Sequence, residues 1–272
     1  MQKGKPIEKK LSQNFLNSPE ILQEEAELLS PQGEDVLEIG AGDGRLSSKI
    51  IALSPKSLTL VEIDEKWATL LQKKFRKFEN VRILQQDFLE LDNNFKTSLI
   101  YGNIPYHITS KILLKLAKMK FTSTLLLMQK EVVQRICSDP ATSNYGRISV
   151  FCQLHYTLNP LFEVPRNLFE PPPKVDSQFL QLVPKSTSKL PKNLEETSSA
   201  LFSHRLASVQ NAILHSRKQF GWDKEQARQV AKTIKFADKK VFMLTPDEVV
   251  SIARVLGEKK DWANKKQNRL SK

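Results

Sequence analysis

The feature that most constrains the fold is the regular alternation of short apolar strands with amphipathic helices in the first half of the chain. Residues 35–40 are typical of a buried strand, and the glycine turn at residues 40–44 links it to a helix predicted over 45–53. Further strands are predicted over 57–64, 81–84, 98–101 and 122–128, with helices over 66–78 and 109–119. Because such alternation builds a parallel sheet with right-handed crossovers, the sequence predicts an α/β, Rossmann-like fold.

Polar residues follow several of these predicted strands at the point where each strand ends. They are the glycine turn, Glu62, Asp87 and Asn103. In an open parallel sheet, ligands bind outside the carboxyl ends of the strands. We therefore expect these residues to lie close together and to form one site.

The glycine turn and the two acids suit a nucleoside ligand. Glycines let a ligand approach the backbone, Glu62 can accept both ribose hydroxyls, and Asp87 can accept an adenine N6 amine. The spacing Gly40-x-Gly42-x-Gly44 is not the dinucleotide GxGxxG, and no GxxxxGK[ST] phosphate loop is present. S-adenosylmethionine, a nucleoside without a pyrophosphate, fits best. The alternative interpretation is a tight turn with solvated acids at the strand ends.

The run Asn103-Ile-Pro-Tyr106 has a definite chemical use. Pro105 fixes its own φ and pushes Ile104 into an extended conformation, so the Asn103 side-chain oxygen and the Ile104 carbonyl can face one point. Two acceptors beside the Tyr106 ring suit a planar base that carries an exocyclic amine. The alternative is an ordinary turn at a strand end. His107 is interpreted as structural.

Composition favours a polyanionic partner. The net charge of +12 indicates nucleic acid, although a well-solvated basic surface is the alternative. Two cysteines, Cys137 and Cys152, do not make a disulfide framework, and with no apolar signal region at the N-terminus they suggest a cytoplasmic protein. No run has the length of a membrane span, and the histidines and cysteines show no metal-ligand spacing.

The flanking segments carry weaker signals. Ser18 and Pro19 predict the start of a helix, later strands are predicted over 148–158 and 175–183, and a proline-rich loop is predicted over 164–174. Residues 184–191 are interpreted as a linker. Beyond them the pattern is helical, with one helix marked by Leu201, Leu206, Val209 and Ile213 and another over 246–256.

Eight motifs, in order along most of the chain, closely resemble those of the ribosomal RNA adenine dimethyltransferases that modify the small subunit. They are Gln13-Asn-Phe-Leu16, Leu37-Glu-Ile-Gly-Ala-Gly42, Val61-Glu-Ile-Asp64, Gln86-Asp87, Gly102-Asn-Ile-Pro-Tyr106, Met128-Gln-Lys-Glu-Val-Val133, Tyr145-Gly-Arg-Ile-Ser149 and Phe169-Glu-Pro-Pro-Pro-Lys-Val-Asp-Ser177. The erythromycin-resistance methyltransferases share the first-domain motifs, but the last run and the Gln129-Lys-Glu-Val132 run are more similar to the small-subunit enzymes. Two departures are Ser12, where members usually carry glycine, and the weakly basic run over 202–208.

The resemblance implies roles for individual residues. The cofactor-binding residues would be Asn14, Leu16, Gly40, Gly42, Glu62, Ile63, Asp87, Phe88 and Asn103. The catalytic residues would be Asn103, Ile104, Pro105, Tyr106 and Phe169. Asn103 would lie at the methyl-transfer point, and Tyr106 and Phe169 would sandwich the target adenine. For Phe169 the alternative is a core aromatic residue beside prolines.

The resemblance also implies a function. It implies S-adenosylmethionine-dependent dimethylation of two adjacent adenosines in the 3′-terminal hairpin loop of 16S ribosomal RNA, within a pre-30S particle, by a methyltransferase domain over residues 1–185 and a small helical domain over 192–272. We expect a monomer. The alternatives are a DNA adenine-N6 methyltransferase and an RNA-binding ribosome-assembly factor. Candidate phosphate contacts are Lys3, Lys5, Lys9, Lys10, Arg147, Lys174, Arg205, Arg217 and Lys218.

Overall fold

The computed structural model describes residues 14–270, apart from the side chains of residue 106 and residues 259–270. These residues form two compact units. The sheet unit consists of residues 14–130 and Pro160–Gln181, and the helical unit consists of Glu131–Asn159 and residues 182–270. The division differs from the predicted domain ranges, because residues 131–159 pack with the C-terminal helices.

The strands of the described residues include, in the predicted order, the five expected between residues 35 and 128. The strands are β1 (Phe15–Leu16), β2 (Asp35–Ile39), β3 (Ser57–Glu62), β4 (Val81–Gln85), β5 (Leu99–Asn103), β6 (Ser123–Gln129), β7 (Tyr156–Val164), β8 (Phe169–Glu170) and β9 (Ser177–Pro184). The helices are α1 (Pro19–Glu27), α2 (Arg45–Ala52), α3 (Glu65–Phe75), α4 (Thr109–Leu116), α5 (Lys130–Ile136), α6 (Arg147–His155), α7 (Leu194–Phe202), α8 (Val209–His215), α9 (Lys224–Ala231) and α10 (Pro246–Leu270). Among the described residues, no helix combines the length and apolar character needed to cross a bilayer.

The strands form a seven-stranded sheet in the order β4-β3-β2-β5-β6-β9-β7. The pairings β4–β3, β3–β2, β2–β5 and β5–β6 are all parallel. The parallel sheet predicted from the sequence is therefore confirmed. Because the carboxyl ends of these strands share one edge, that edge is where the polar residues after β2, β3, β4 and β5 meet.

Local sequence explains where the first helices begin. The Ser18 hydroxyl accepts a hydrogen bond from the backbone N–H of Ile21 at 3.3 Å, and Pro19 occupies the first turn of α1. The Asp64 carboxylate caps α3 in the same way, accepting from the N–H of Lys66 at 2.9 Å. Between sheet and helices lies an apolar core that includes Ile50, Leu58 and Leu60, each fully buried.

The prediction of a strand over residues 148–158 was wrong. Residues Arg147–His155 form helix α6, and the strand begins only at Tyr156. The apolar, partly β-branched run suggested a strand, but Ser149 anchors a helical start: its hydroxyl accepts from the Gly146 N–H at 3.0 Å and donates to the Arg135 carbonyl at 2.5 Å. Packing within the helical unit, where Val150 is fully buried, overrides strand propensity here.

The prediction of a single helix, marked by Leu201, Leu206, Val209 and Ile213, was also wrong. Helix α7 ends at Phe202 and α8 begins at Val209, so the structure divides the predicted helix in two. Ser208 is the reason: its hydroxyl caps α8 by accepting from the Asn211 N–H at 3.4 Å. Leu206 lies in the intervening turn and is 69% exposed.

Candidate active site

The glycine turn after β2 has a backbone that glycine suits best. Gly40, Gly42 and Gly44 have φ angles of 69°, 55° and 71°, in the left-handed region that other residues adopt only at a cost. A Cβ on Gly42 would lie 2.7 Å from Cε1 of Phe15, whereas no described atom lies within 4 Å of the position of a Cβ on Gly40. The turn therefore packs against the N-terminal segment at Gly42 and has room for a ligand at Gly40.

Glu62 ties the end of β3 to this turn. The carboxylate is buried, with Oε2 accepting from the Gly42 N–H at 2.8 Å and Oε1 accepting from the Asp64 N–H at 2.9 Å. Each carboxylate oxygen has a further lone pair, so the same group can still accept hydroxyl hydrogen bonds. The predicted neighbours Gly42 and Glu62 are thus in direct contact, and Glu62 also fixes the shape of the turn, a role that the sequence did not reveal.

The residues beside Glu62 differ in exposure. Ile63 is 54% exposed, so it presents an apolar surface that a ring could cover. At the end of β4, Asp87 caps a short 3₁₀ turn by accepting from the Leu89 N–H at 2.9 Å. The Phe88 side chain is buried in the core, so only its backbone can face the site.

Asn103 ends β5 with an unusual feature. Its Oδ1 is buried and accepts no hydrogen bond from any group in the described part of the chain. The following Ile104 is fixed by its N–H, which donates to the Leu127 carbonyl at 3.0 Å, and Pro105 has φ −58°. A buried acceptor without a partner costs free energy, so an amide held in this way indicates a place where a ligand donates. The Tyr106 side chain lies outside the described residues.

The N-terminal segment completes this edge of the sheet unit. Strand β1 pairs antiparallel with β8, with Leu16 opposite Phe169, and the Asn17 N–H donates to the Leu168 carbonyl at 2.6 Å. Leu16 is 1% exposed and Phe169 is 7% exposed. Asn14 precedes this pair and is partly exposed. The structure therefore brings Phe169 against the predicted cofactor segment, and its ring is covered largely by core side chains.

Two buried carboxyl groups beneath the turn were missed by sequence reasoning. Burial raises the pKa of Glu38 to about 8, although the Ser47 hydroxyl donates to its Oε2 at 2.6 Å and acts in the opposite direction. Burial also raises the pKa of Glu25 well above its ordinary value, and neither of its oxygens has a partner in the described residues. Glu38 is an acidic residue within the apolar run of β2, and this position in the sequence is the signal that could have indicated its burial. Its carboxyl is largely protonated and neutral at pH 7.

The comparisons with known proteins identify a family. The sequence profile described as "Ribosomal RNA adenine dimethylase" matches residues 4–253. The chain belongs to this family. It is 31% identical over 255 residues to a "Probable ribosomal RNA small subunit methyltransferase A" of Methanopyrus kandleri, covering 91% of each protein. It is 36% identical over 234 residues to a "Ribosomal RNA small subunit methyltransferase A" of Francisella tularensis subsp. novicida, covering 80% of this chain and 88% of that protein.

Solved structures support the same fold. A dimethyladenosine transferase from Plasmodium falciparum is similar with a TM-score of 0.76 and 24% identity over 90% of this chain and 98% of that one. The 23S rRNA methyltransferase ErmE is similar with a TM-score of 0.63 and 22% identity over 90% of this chain and all of that one. The adenine dimethylase family and its Rossmann-like fold make this chain an rRNA adenine methyltransferase of the class that uses S-adenosylmethionine.

The candidate phosphate contacts differ in the exposure of their side chains and in the hydrogen bonds that those side chains make within the protein. Arg147, Lys174 and Lys218 are exposed, although the Arg147 guanidinium also donates to Ser199 Oγ at 3.2 Å. Arg205 is engaged, because its Nη2 donates to the carbonyls of residues 142, 143 and 145 at 3.3, 3.0 and 3.2 Å. These bonds hold the loop over residues 142–145. The predicted contacts Lys3, Lys5, Lys9 and Lys10, together with Gln13, lie outside the described residues.

Proposed function

We propose that this dimethylase transfers methyl groups from S-adenosylmethionine to the N6 amines of two adjacent adenosines in the 3′-terminal hairpin loop of small-subunit ribosomal RNA. The substrate would be a pre-30S particle in the cytoplasm, the enzyme would act as a monomer, and the modification would contribute to small-subunit biogenesis. The observation that carries the proposal is the buried Oδ1 of Asn103 at the end of β5, which accepts no hydrogen bond from the part of the chain that the structure describes. The relatives named as small-subunit enzymes favour this RNA over the large-subunit RNA named for ErmE.

The residues present fit the cofactor. Gly40 has open space on the side where a Cβ would stand, and Glu62 keeps lone pairs for ribose hydroxyls. Asp87 offers its second carboxylate oxygen to an adenine amine, and Ile63 offers an exposed apolar surface to the ring. We infer that Asn14 and Leu16 form the wall contributed by the N-terminal segment. When bound, S-adenosylmethionine supplies an electrophilic methyl group on a sulfonium.

Asn103 would act by binding the target amine. The N6 lone pair of adenine is delocalised into the ring, which makes it a poor nucleophile. Hydrogen bonds from its two N–H groups to Asn103 Oδ1 and to the Ile104 carbonyl favour a tetrahedral nitrogen and stabilise the positive charge that develops as it attacks. Such bonds are stronger in the transition state than in the ground state, so they raise the rate. The methylated ammonium loses its proton readily, and no strong general base is required.

The target base must leave its stack to reach a buried acceptor. Aromatic side chains compensate for the lost stacking, and we infer that Tyr106 and Phe169 do so here. Phe169 is 7% exposed, so it would present only a ring edge unless the neighbouring β1–β8 pair adjusts when RNA binds. A second methylation at the same nitrogen requires a pocket that also admits the first methyl group.

The decisive experiment supplies labelled S-adenosylmethionine, in separate reactions, to unmodified small subunits, to large subunits and to duplex DNA, and then analyses the nucleosides. Binding to pre-ribosomal particles is measured in parallel. We expect label as N6,N6-dimethyladenosine in small-subunit RNA only. Label in large-subunit RNA would contradict the proposed substrate, and label in adenines of duplex DNA would favour a DNA methyltransferase. Binding to pre-ribosomal particles without any label would favour an assembly factor, and Glu62→Ala would then leave that binding unchanged.

A further inference from the structure

The segment Phe15–Leu16 is held directly on the glycine turn. The Phe15 ring lies so close to Gly42 that a Cβ there would come within 2.7 Å of Cε1. The ring also packs against Trp67 of α3 in an edge-type contact, with centroids 5.2 Å apart and an interplanar angle of 64°. The N-terminal wall of the predicted cofactor pocket therefore rests on the part of the turn that also bonds to Glu62.

Arg45, the first residue of α2, joins this segment to the turn. Its Nε lies 3.0 Å from both carboxylate oxygens of Asp43, and its Nη2 donates to Asp43 Oδ2 at 2.6 Å. Its Nη1 donates to the Leu16 carbonyl at 2.7 Å, and its guanidinium carbon lies 5.0 Å from the centroid of the Phe15 ring. One planar side chain thus contacts the acid of the turn, the backbone of the segment and the aromatic ring at once, which a lysine cannot reproduce.

Few backbone hydrogen bonds attach the segment to strand β8. Strand β8 pairs with β1 over only two residues, with a further bond from the Asn17 N–H to the Leu168 carbonyl. A two-stranded ribbon of this length is not stable on its own in water. Burial of Leu16 in the core fixes that side chain, and Asn17 Nδ2 donates to Glu170 Oε2 at 3.5 Å. The Phe15 ring and the backbone of the segment then depend on what holds them to the glycine turn.

We propose that Arg45, fixed by Asp43, is a positioning residue that clamps the segment over the turn and so sets how tightly the cofactor is retained. The inference rests on the proposed function, because it takes Asn14 and Leu16 as the wall of the S-adenosylmethionine pocket. Without the clamp the segment spends part of its time away from the turn. The observed affinity for the cofactor then falls in proportion to the fraction of molecules with the wall in place. The chemistry at Asn103 is unaffected once the cofactor is bound.

The test combines cofactor affinity with hydrogen exchange of the peptide that covers residues 14–17, measured in the free protein. Arg45→Ala is expected to weaken S-adenosylmethionine binding roughly tenfold by calorimetry, to raise the KM for the cofactor by a similar factor and to leave kcat within about twofold. It is also expected to speed exchange of the 14–17 peptide. Arg45→Lys should give a smaller effect, and Asp43→Ala combined with Arg45→Ala should be little worse than Arg45→Ala alone.

Lys56→Ala is the matched control, since it removes an ion pair of 2.8 Å to Asp35 at the start of β2, away from the turn. It should change neither affinity nor exchange. Unchanged exchange and affinity in Arg45→Ala, with the wild-type protein binding the cofactor, would overturn the clamp. If the wild-type protein bound no S-adenosylmethionine, the proposed function would fail. The exchange measurement would still decide whether Arg45 holds the segment.

Discussion

The two halves of the candidate site differ in how completely their polar groups are paired within the chain. At the glycine turn, both carboxylate oxygens of Glu62 accept backbone N–H bonds, and Lys74 Nζ donates to the carbonyls of Asp43 and Gly44 at 3.0 and 2.8 Å. At the end of β5, the buried Oδ1 of Asn103 has no partner among the described residues. The first half is preorganised to hold a ligand in one position. The second leaves an acceptor open for a group that only a substrate brings.

The largest effect is expected from Asn103→Ala. It removes the acceptor for the target amine, so kcat should fall about 1,000-fold, while the dissociation constant for S-adenosylmethionine should stay within about threefold. Single-turnover methylation and calorimetry measure the two quantities. Asn80→Ala is a control, since Asn80 Nδ2 donates to the Pro55 carbonyl at 3.0 Å and lies at the start of β4. It should lower stability by about 1 kcal/mol without changing the rate. Retained dimethylation in Asn103→Ala would contradict the role of this amide.

Glu62→Gln should weaken cofactor binding and leave kcat nearly unchanged, which is the reverse of the result expected for Asn103→Ala. A glutamine has only one acceptor oxygen, so it cannot bond to the N–H groups of both Gly42 and Asp64, and its amide N–H₂ would face one of them. We expect cofactor binding about 50-fold weaker and a free energy of unfolding about 2 kcal/mol lower, with kcat at saturating cofactor close to the wild-type value. Equal loss of kcat and of affinity would remove the distinction between the two halves.

Glu38→Gln tests the buried carboxyl beneath the turn. Because burial raises the pKa of Glu38 from 4.5 to about 8, the folded protein keeps a proton that the unfolded chain releases above about pH 4.5. Its stabilising contribution is therefore complete below pH 4.5 and is lost as the pH rises towards 8, with a slope of at most about 1.4 kcal/mol per pH unit. Urea unfolding between pH 5 and 8 tests this contribution. The free energy of unfolding should change less with pH in Glu38→Gln than in the wild-type protein, and the glutamine oxygen can still accept from the Ser47 hydroxyl. If the free energy of unfolding changed with pH equally in both proteins, a raised pKa of Glu38 would be contradicted.

The smallest effect is expected in the helical unit. Ser208→Ala removes the cap of α8 and should lower the free energy of unfolding by about 1 kcal/mol, with no change in cofactor affinity. Thermal unfolding measures the first and calorimetry the second. A change in cofactor affinity would show that the binding half of the site extends beyond the sheet unit.

The sheet unit was well predicted because a parallel sheet with right-handed crossovers allows few arrangements of its strands. Buried apolar runs set the strands, and the carboxyl ends of β2, β3, β4 and β5 then converge by topology. For this reason the sequence alone predicts that Gly42 and Glu62 lie together. The helical unit was predicted less well. Apolar spacing alone could not detect the break at Ser208, because that break depends on a local cap made by the Ser208 hydroxyl. It could not detect the helix over Arg147–His155 either, because that helix depends on the bond from Ser149 to the Arg135 carbonyl and on packing within the helical unit.

Other features of the site could not be read from residue types. The lack of a partner for Asn103 Oδ1 among the described residues and the burial of Phe169 depend on how neighbouring chain segments fold around them. Arg45 was visible as a basic residue after the glycine turn, but its bond to the Leu16 carbonyl joins residues 29 positions apart. Such contacts follow from the tertiary fold rather than from any local pattern.

The most direct test of the open acceptor is a crystal structure of the protein with S-adenosylhomocysteine and adenosine bound together. We expect the N6 amine of the adenosine to lie about 3 Å from both Asn103 Oδ1 and the Ile104 carbonyl, with the ribose of S-adenosylhomocysteine on Glu62. An adenosine bound elsewhere, or an Asn103 Oδ1 that remains without a donor when both ligands are present, would contradict the account.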